Sequence, residues 1–174
     1  MRRSKEEFFE KLGPSTGSQT VQLSEEHMEF QRGEFFISTE KTKLDYRMIH
    51  QFLEESYWAE GIPPETVKKA IENSLCFGVY HRDGQIGFAR VITDYATYAY
   101  LGDVFILKNY RGRGLSKWLV ESVTGYPELQ GLRRWMLATR DAQGLYVQFG
   151  FKVLKAPDRW MEKHNPDVYR GGKR

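Results

Sequence analysis

The run Val104-Phe105-Ile106-Leu107-Lys108-Asn109-Tyr110-Arg111-Gly112-Arg113-Gly114-Leu115 constrains this chain more than any other stretch. It passes from a strand-like apolar segment through spaced glycines into an amphipathic helix whose stripe is Leu115, Trp118, Leu119 and Val123. Gly112 and Gly114 admit backbone angles closed to other residues, so successive N–H groups can converge on one point. The helix behind them opens with free N–H groups and a dipole that favours an anion. Lys108, Arg111, Arg113 and Lys117 add positive charge, and no acid falls between Asp103 and Glu121. A solvated basic turn could share this composition, but a strand in front and a helix behind predict an anion cradle. The turn lacks the Gly-Lys-Ser/Thr ending of a P-loop and the Gly-x-Gly-x-x-Gly spacing of a dinucleotide fold. Nucleotide hydrolysis and hydride transfer lose support accordingly.

Around this junction the text is regular. Phe35-Phe36-Ile37-Ser38 predicts a short strand, and Leu44, Met48, Ile49, Phe52 and Leu53 recur at helical spacing. A Gly61-Ile62-Pro63-Pro64 break follows, with Pro64 placed to open a second helix carrying Val67, Ala70 and Ile71. Leu75 to His81 reads as a strand, Asp83-Gly84 as a hairpin turn, and Gln85 to Ile92 as the returning strand. Asp94-Tyr95-Ala96 turns the chain into a third strand, Thr97 to Leu107. Beyond the helix that ends near Gly125-Tyr126-Pro127, Trp135-Met136-Leu137-Ala138 is apolar at every position, which predicts a strand covered on both faces. A helix from about Ala142 to Phe149 stops at Gly150, and Phe151-Lys152-Val153-Leu154 is expected to close the sheet. Residues 1–33 read as an extension to the domain at 34–174: Phe8, Phe9 and Leu12 share a helical face, and Gly13-Pro14-Ser15-Thr16-Gly17-Ser18 has linker composition. The fold class expected is α/β of the α+β kind, a twisted, mainly antiparallel mixed sheet flanked by helices.

At 174 residues there is room for one ordinary domain, and 26 Lys+Arg against 23 Asp+Glu leave +3, too little for indiscriminate phosphate binding by the whole surface. Cys76 is the single cysteine, so no intrachain disulfide forms and a cysteine-based metal site lacks ligands; no metal is expected. No apolar run of about eighteen residues occurs, and Met1-Arg2-Arg3 leads into Ser4-Lys5-Glu6-Glu7 instead of a signal core, so the expectation is a cytoplasmic protein without a membrane partner.

Arg111-x-x-Gly114-x-Ser116 resembles the acyl-CoA signature Arg/Gln-x-x-Gly-x-Gly/Ala of the GNAT family of N-acetyltransferases, with Ser116 in place of Gly or Ala. Asp141-Ala142-Gln143-Gly144-Leu145-Tyr146-Val147-Gln148-Phe149-Gly150-Phe151 is similar to the family segment ending in Leu-Tyr-x-x-x-Gly-Phe. The resemblance spans residues 34–155. It implies an enzyme that moves an acetyl group from acetyl-CoA directly to a primary amine of a small molecule or peptide. It further implies that Arg111, Gly112, Arg113, Gly114, Leu115 and Ser116 hold the pyrophosphate, and that Phe105, Ile106 and Leu107 offer a strand edge to the pantetheine arm. By the same resemblance Tyr146 contacts the cofactor and acts as general acid toward the leaving thiolate, though a plain packing role is the alternative for any tyrosine. The base stays open among Asp103, Asp94, His81, Glu54 and Glu55; Asp103 stands equally well as a carboxylate bonded to a basic neighbour. Tyr57 and Trp58, with Asp94 as a second wall, are the expected substrate contacts, with packing again the alternative for the aromatics. A longer acyl-CoA, a hydroxyl acceptor or a non-catalytic CoA sensor would suit the same motifs. A nucleic-acid module stacking bases on Tyr95, Tyr98 and Tyr100 is opposed by the overall charge, so no nucleic-acid partner is expected, and a homodimer is a candidate assembly.

Overall fold

The hairpin expected at Asp83-Gly84 forms one residue earlier: His81 pairs with Gly84, and Arg82, at φ 53°, and Asp83 make the turn. The computed structural model describes residues 20–23 and 27–169. Its strands are β1 (Thr20–Leu23), β2 (Met28–Arg32), β3 (Phe35–Ser38), β4 (Leu75–His81), β5 (Gly84–Thr93), β6 (Tyr98–Ile106) and β7 (Arg134–Met136). They form one seven-stranded sheet in chain order. Each strand is antiparallel to the next except β7, which runs parallel to β6.

Helices cover both faces because the central strands are apolar on both. On one face Phe77, Val79, Ala89 and Val91 pack with Trp118, Leu119, Val120 and Val123 of α3 (Leu115–Thr124). On the other, Cys76, Phe88 and Phe105 pack with Ile49 and Leu53 of α1 (Tyr46–Glu54) and Val67 and Ile71 of α2 (Pro64–Glu72). Asp45 caps α1 by accepting from the Met48 N–H at 2.9 Å, and Pro64 opens α2 where no N–H is needed. Phe77, Phe88 and Trp118 are among the largest fully buried side chains, each stabilising the fold by about 1.5–3 kcal/mol relative to exposure.

Three expectations are corrected. The boundary at residue 33 falls inside a hairpin, because Glu29 to Arg32 pair with Phe35 to Ser38, and Met28 and Phe30 are buried in the core beside α3. The helical face of Phe8, Phe9 and Leu12 lies outside the described residues. Trp135 to Ala138 is not a strand covered on both faces: β7 pairs only from Arg134 to Met136, and its apolar side chains are half-buried. Phe151 to Leu154 forms no strand; Phe151 turns inward against Trp135 and Tyr146, Val153 is 89% exposed, and a three-residue β7 offers little edge to extend. The predicted last helix is present as α4 (Gln143–Tyr146) followed by a 3₁₀ turn, Val147–Phe149, that Gly150 ends at φ 85°.

Candidate active site

β6 and β7 separate after a short parallel pairing, Tyr98 with Arg134, Ala99 with Trp135 and Tyr100 with Met136. From Leu101 to Ile106 the outer edge of β6 has no strand beside it among the described residues, leaving backbone there open to a ligand that pairs like a strand. The same strand runs through a 3₁₀ turn, Lys108–Tyr110, into the glycines and α3. Gly112 and Gly114 both have positive φ, 78° and 74°, so the chain needs glycine there. No side chain caps α3, and the N–H groups from Gly112 to Lys117 have no acceptor among the described residues; the first bond of the helix is donated by Trp118 to the Gly114 carbonyl.

The cations around this cradle are equally unspent. Lys108, Arg111, Arg113 and Lys117 make no ion pair among the described residues. Arg111 Nε donates to the Ile106 carbonyl at 3.0 Å, tying strand end to turn, and the Arg113 guanidinium lies over Tyr110. Leu115 is buried and anchors α3, while Ser116 is half-buried at its first turn.

Inside the cleft β6 carries a bulge. Phe88 pairs with Phe105 but Arg90 pairs with Gly102, so Asp103 and Val104 face the single residue Ala89, and Asp103 adopts φ 53°. Its side chain is locked: Arg90 Nε donates to Oδ2 at 2.6 Å, and Trp58 Nε1 donates to Oδ1 at 3.2 Å. Arg90 Nη1 also donates to Ser74 Oγ at 3.2 Å. Trp58 thus reaches the bulge, and its neighbour Tyr57 spans to the loop after β7, where its hydroxyl accepts from the Arg140 N–H at 3.2 Å and its ring lies 3.9 Å below the Arg140 guanidinium. Both aromatics keep exposed faces, 48% and 42%. Phe52 stacks on Phe105 at 3.7 Å behind them.

Tyr146 is buried beside this wall. Burial, helped by the nearby Tyr57 and Tyr100 phenols, pushes its hydroxyl up to about 12, so it stays protonated at neutral pH. Tyr100 is also raised, first by burial and then by Asp103, although its oxygen accepts from the Ala138 N–H. The other carboxylates lie elsewhere. Asp94 spends both oxygens on its own turn, accepting from the N–H groups of Ala96, Thr97 and Tyr98 and from Thr97 Oγ1, which hold it well below the carboxylate range. The second wall expected at Asp94 is therefore a turn cap at the far end of β6 from Phe105. His81 faces Glu34, and Glu54 faces His50.

Two side chains were missed in the sequence. Arg90 is an isolated charge inside the apolar run Phe88 to Ile92, a pattern that asks for a buried partner. Arg32 continues the inward alternation of Met28 and Phe30, and period-two counting could have found it beside α3. Among the described residues no cluster of His, Cys, Asp and Glu is placed to hold a metal, and no helix is long and apolar enough to cross a membrane.

Known proteins resemble this chain in sequence and fold. The family model described as acetyltransferase (GNAT) domain matches residues 72–153. A candidate acetyltransferase of Gibberella zeae is 31% identical over 139 residues, covering 66% of this chain and 77% of that one. A candidate GNAT-family acetyltransferase from Xanthomonas campestris, solved as a crystal structure, is 49% identical with a TM-score of 0.76, over 78% of this chain and 96% of its own. A candidate acetyltransferase of Clostridium acetobutylicum crystallised with acetyl-CoA shares the fold at 13% identity and TM-score 0.57, over 75% of this chain and 96% of that one.

Proposed function

Because the chain belongs to the GNAT family of acetyltransferases, we propose that it moves an acetyl group from acetyl-CoA directly to a primary amine of a small molecule or peptide. The observation that carries this reading is the cradle: N–H groups from Gly112 to Lys117 at the start of α3, unspent among the described residues and ringed by cations without acid partners there. A diphosphate fits it, since backbone donors and a helix N-terminus suit an anion of that size. Acetyl-CoA, when bound, supplies the activated acyl group as a thioester.

Around it the chain's own residues divide the work. Arg111 to Ser116 hold the diphosphate, with Arg111 acting through its bond to the Ile106 carbonyl to keep turn and strand in register. The open edge of β6 at Phe105 and Ile106 receives the pantetheine arm, and N–H groups along that edge stabilise the oxygen that gains charge when the amine attacks; Leu107, expected to share that edge, lies past the end of β6 and gives its N–H to the Ile86 carbonyl at 2.8 Å. Holding amine and thioester together removes much of the entropic barrier, so no covalent enzyme intermediate is needed. Tyr146 serves the departing sulfur. A phenol near 12 is a weaker acid than a thiol of about 8.5, so it acts first as a hydrogen-bond donor there. Tyr57 and Trp58 wall the acceptor side and suit an amine with an apolar or aromatic body. Asp103, with both oxygens engaged, fixes that wall through Trp58, and the amine's proton leaves to water.

Calorimetry with acetyl-CoA, followed by thiol release and mass spectrometry across a panel of amines, tests this reading. Uptake of acetyl-CoA with an acetylated amine product is expected. Absence of uptake refutes it; uptake with no product from any amine or peptide favours a CoA-binding sensor instead.

A further inference from the structure

Arg32 lies outside the span matched by the family model, at the end of β2, yet its guanidinium reaches α3. It sits over the Trp118 ring at 5.9 Å, and its Nη2 and Nη1 come within 3.8 and 3.9 Å of where a Cβ on Gly114 would stand. The route is dictated by the strand. Met28 and Phe30 point into the core beneath α3, and Arg32, two residues on, points the same way but at the rim, where α3 begins. Half-buried, it has neither an ion pair nor a hydrogen bond among the described residues. Partial burial of a guanidinium with only an indole for company is costly, and an anion on the adjacent backbone donors would relieve that cost.

We propose that Arg32 is a ligand of the acetyl-CoA diphosphate, so that the amino-terminal β1–β2 hairpin completes the cofactor site from across the sheet. The assignment rests on the acyl-CoA reading of the cradle. Lys108, Arg111, Arg113 and Lys117 reach the site from the turn and α3 themselves, whereas Arg32 comes from a different element, behind Gly114, and holds the phosphates from the opposite side. The absence of a side chain at Gly114 then has two uses: a left-handed turn at φ 74° and an open path from the guanidinium to the anion.

The test is calorimetric binding of acetyl-CoA and of its 3′-dephospho form to the full chain and to Arg32→Met, Arg32→Lys and Lys68→Met. Methionine keeps the apolar stem over Trp118 and removes the charge, lysine keeps the charge without the fork, and Lys68 is an exposed cation on α2, across the sheet from α3. Loss of a charge-assisted contact predicts acetyl-CoA binding about tenfold weaker or worse in Arg32→Met, an intermediate loss in Arg32→Lys, and no change in Lys68→Met. The loss should be equal for the dephospho ligand. Thermal melting without ligand checks that each variant folds; should Arg32→Met fail to fold, a graded loss in Arg32→Lys alone still decides. Binding by the Arg32 variants within about twofold of the parent chain overturns the assignment, as does a loss that disappears with the dephospho ligand or is matched by Lys68→Met. If the parent chain takes up no acetyl-CoA, the acyl-CoA reading itself has failed, an outcome distinct from unaltered uptake by Arg32→Met.

Discussion

Replacing Asp103 separates two demands that the bulge in β6 makes on one residue. The backbone stands at φ 53°, where an L-residue is disfavoured by about 1–2 kcal/mol and glycine is not. The carboxylate, 13% exposed, pairs with an Arg90 side chain that is 18% exposed. Removing one partner of a well-buried pair costs about 3–5 kcal/mol. Arg90 keeps its bond to Ser74, so the low end, about 3 kcal/mol, applies. Asp103→Ala loses the pair and keeps the strain the parent already carries, for a total of about 3 kcal/mol; Asp103→Gly loses the pair but sheds about 1 kcal/mol of strain, for about 2 kcal/mol. Asp103→Asn tolerates the left-handed region and still offers an acceptor to Arg90 or Trp58, which places it near 1–2 kcal/mol. In an ordinary strand the order of glycine and alanine is the reverse. Equilibrium urea unfolding with a common slope reads the ranking directly. An alanine variant as stable as the glycine variant, or more so, would refute the claim that Asp103 is held in a left-handed bulge.

Tyr146→Phe should lower turnover about a hundredfold, the low end for a proton-donating group, while calorimetric affinity for acetyl-CoA stays within about twofold. Unchanged thiol release would remove Tyr146 from the chemistry. Burial raises the phenols of Tyr126 and Tyr146 to about 12 and that of Tyr80 further, and it raises the Cys76 thiol to about 12. Each binds its proton more tightly folded than unfolded, so their stabilisation is complete below the unfolded values, about 10 for tyrosine and 8.5 for cysteine, and is lost as pH rises through the folded ones. Alkaline titration followed by circular dichroism and tyrosinate absorbance should show unfolding and ionisation rising together above pH about 10; ionisation of all ten tyrosines before any loss of structure would contradict it. Gly87→Ala places a Cβ 2.8 Å from the Phe105 carbonyl oxygen, so it should cost about 1–3 kcal/mol in thermal unfolding and weaken acetyl-CoA binding by displacing β6.

The parts that were legible in the sequence are those whose cause is local. The meander from Leu75 to Ile106 declares itself by alternation and turn residues, and the cradle by glycines between a strand and an amphipathic stripe. What escaped depends on partners far along the chain. Glu29 to Arg32 alternate only briefly and follow a linker-like stretch, so their pairing with β3 could not be read from composition. Phe151 to Leu154 has strand character, yet β7 is too short to receive it. The bulge leaves no signature at all, because nothing in Gly102-Asp103-Val104 says that Ala89 will face two residues.

That division also bears on how the two halves of the cleft can change. The proposed diphosphate cradle is made of backbone and of glycines whose φ values admit few substitutes, so its chemistry is tied to one short stretch of chain. The proposed acceptor wall is made of side chains joined across long separations: Trp58 to Asp103, 45 residues apart, and Tyr57 to Arg140, 83 apart. Trp58 is held by one hydrogen bond and Tyr57 by one hydrogen bond and the Arg140 guanidinium over its ring, and both aromatics are exposed in the loop between α1 and α2. A substitution at Tyr57 or Trp58 therefore reshapes the acceptor side at a cost of about 0.5–1.5 kcal/mol per bond lost, while the turn at Gly112 and Gly114 stays as it is. With the proposed assignment of the two halves, acceptor preference is the property most easily altered on this fold, and donor binding the least.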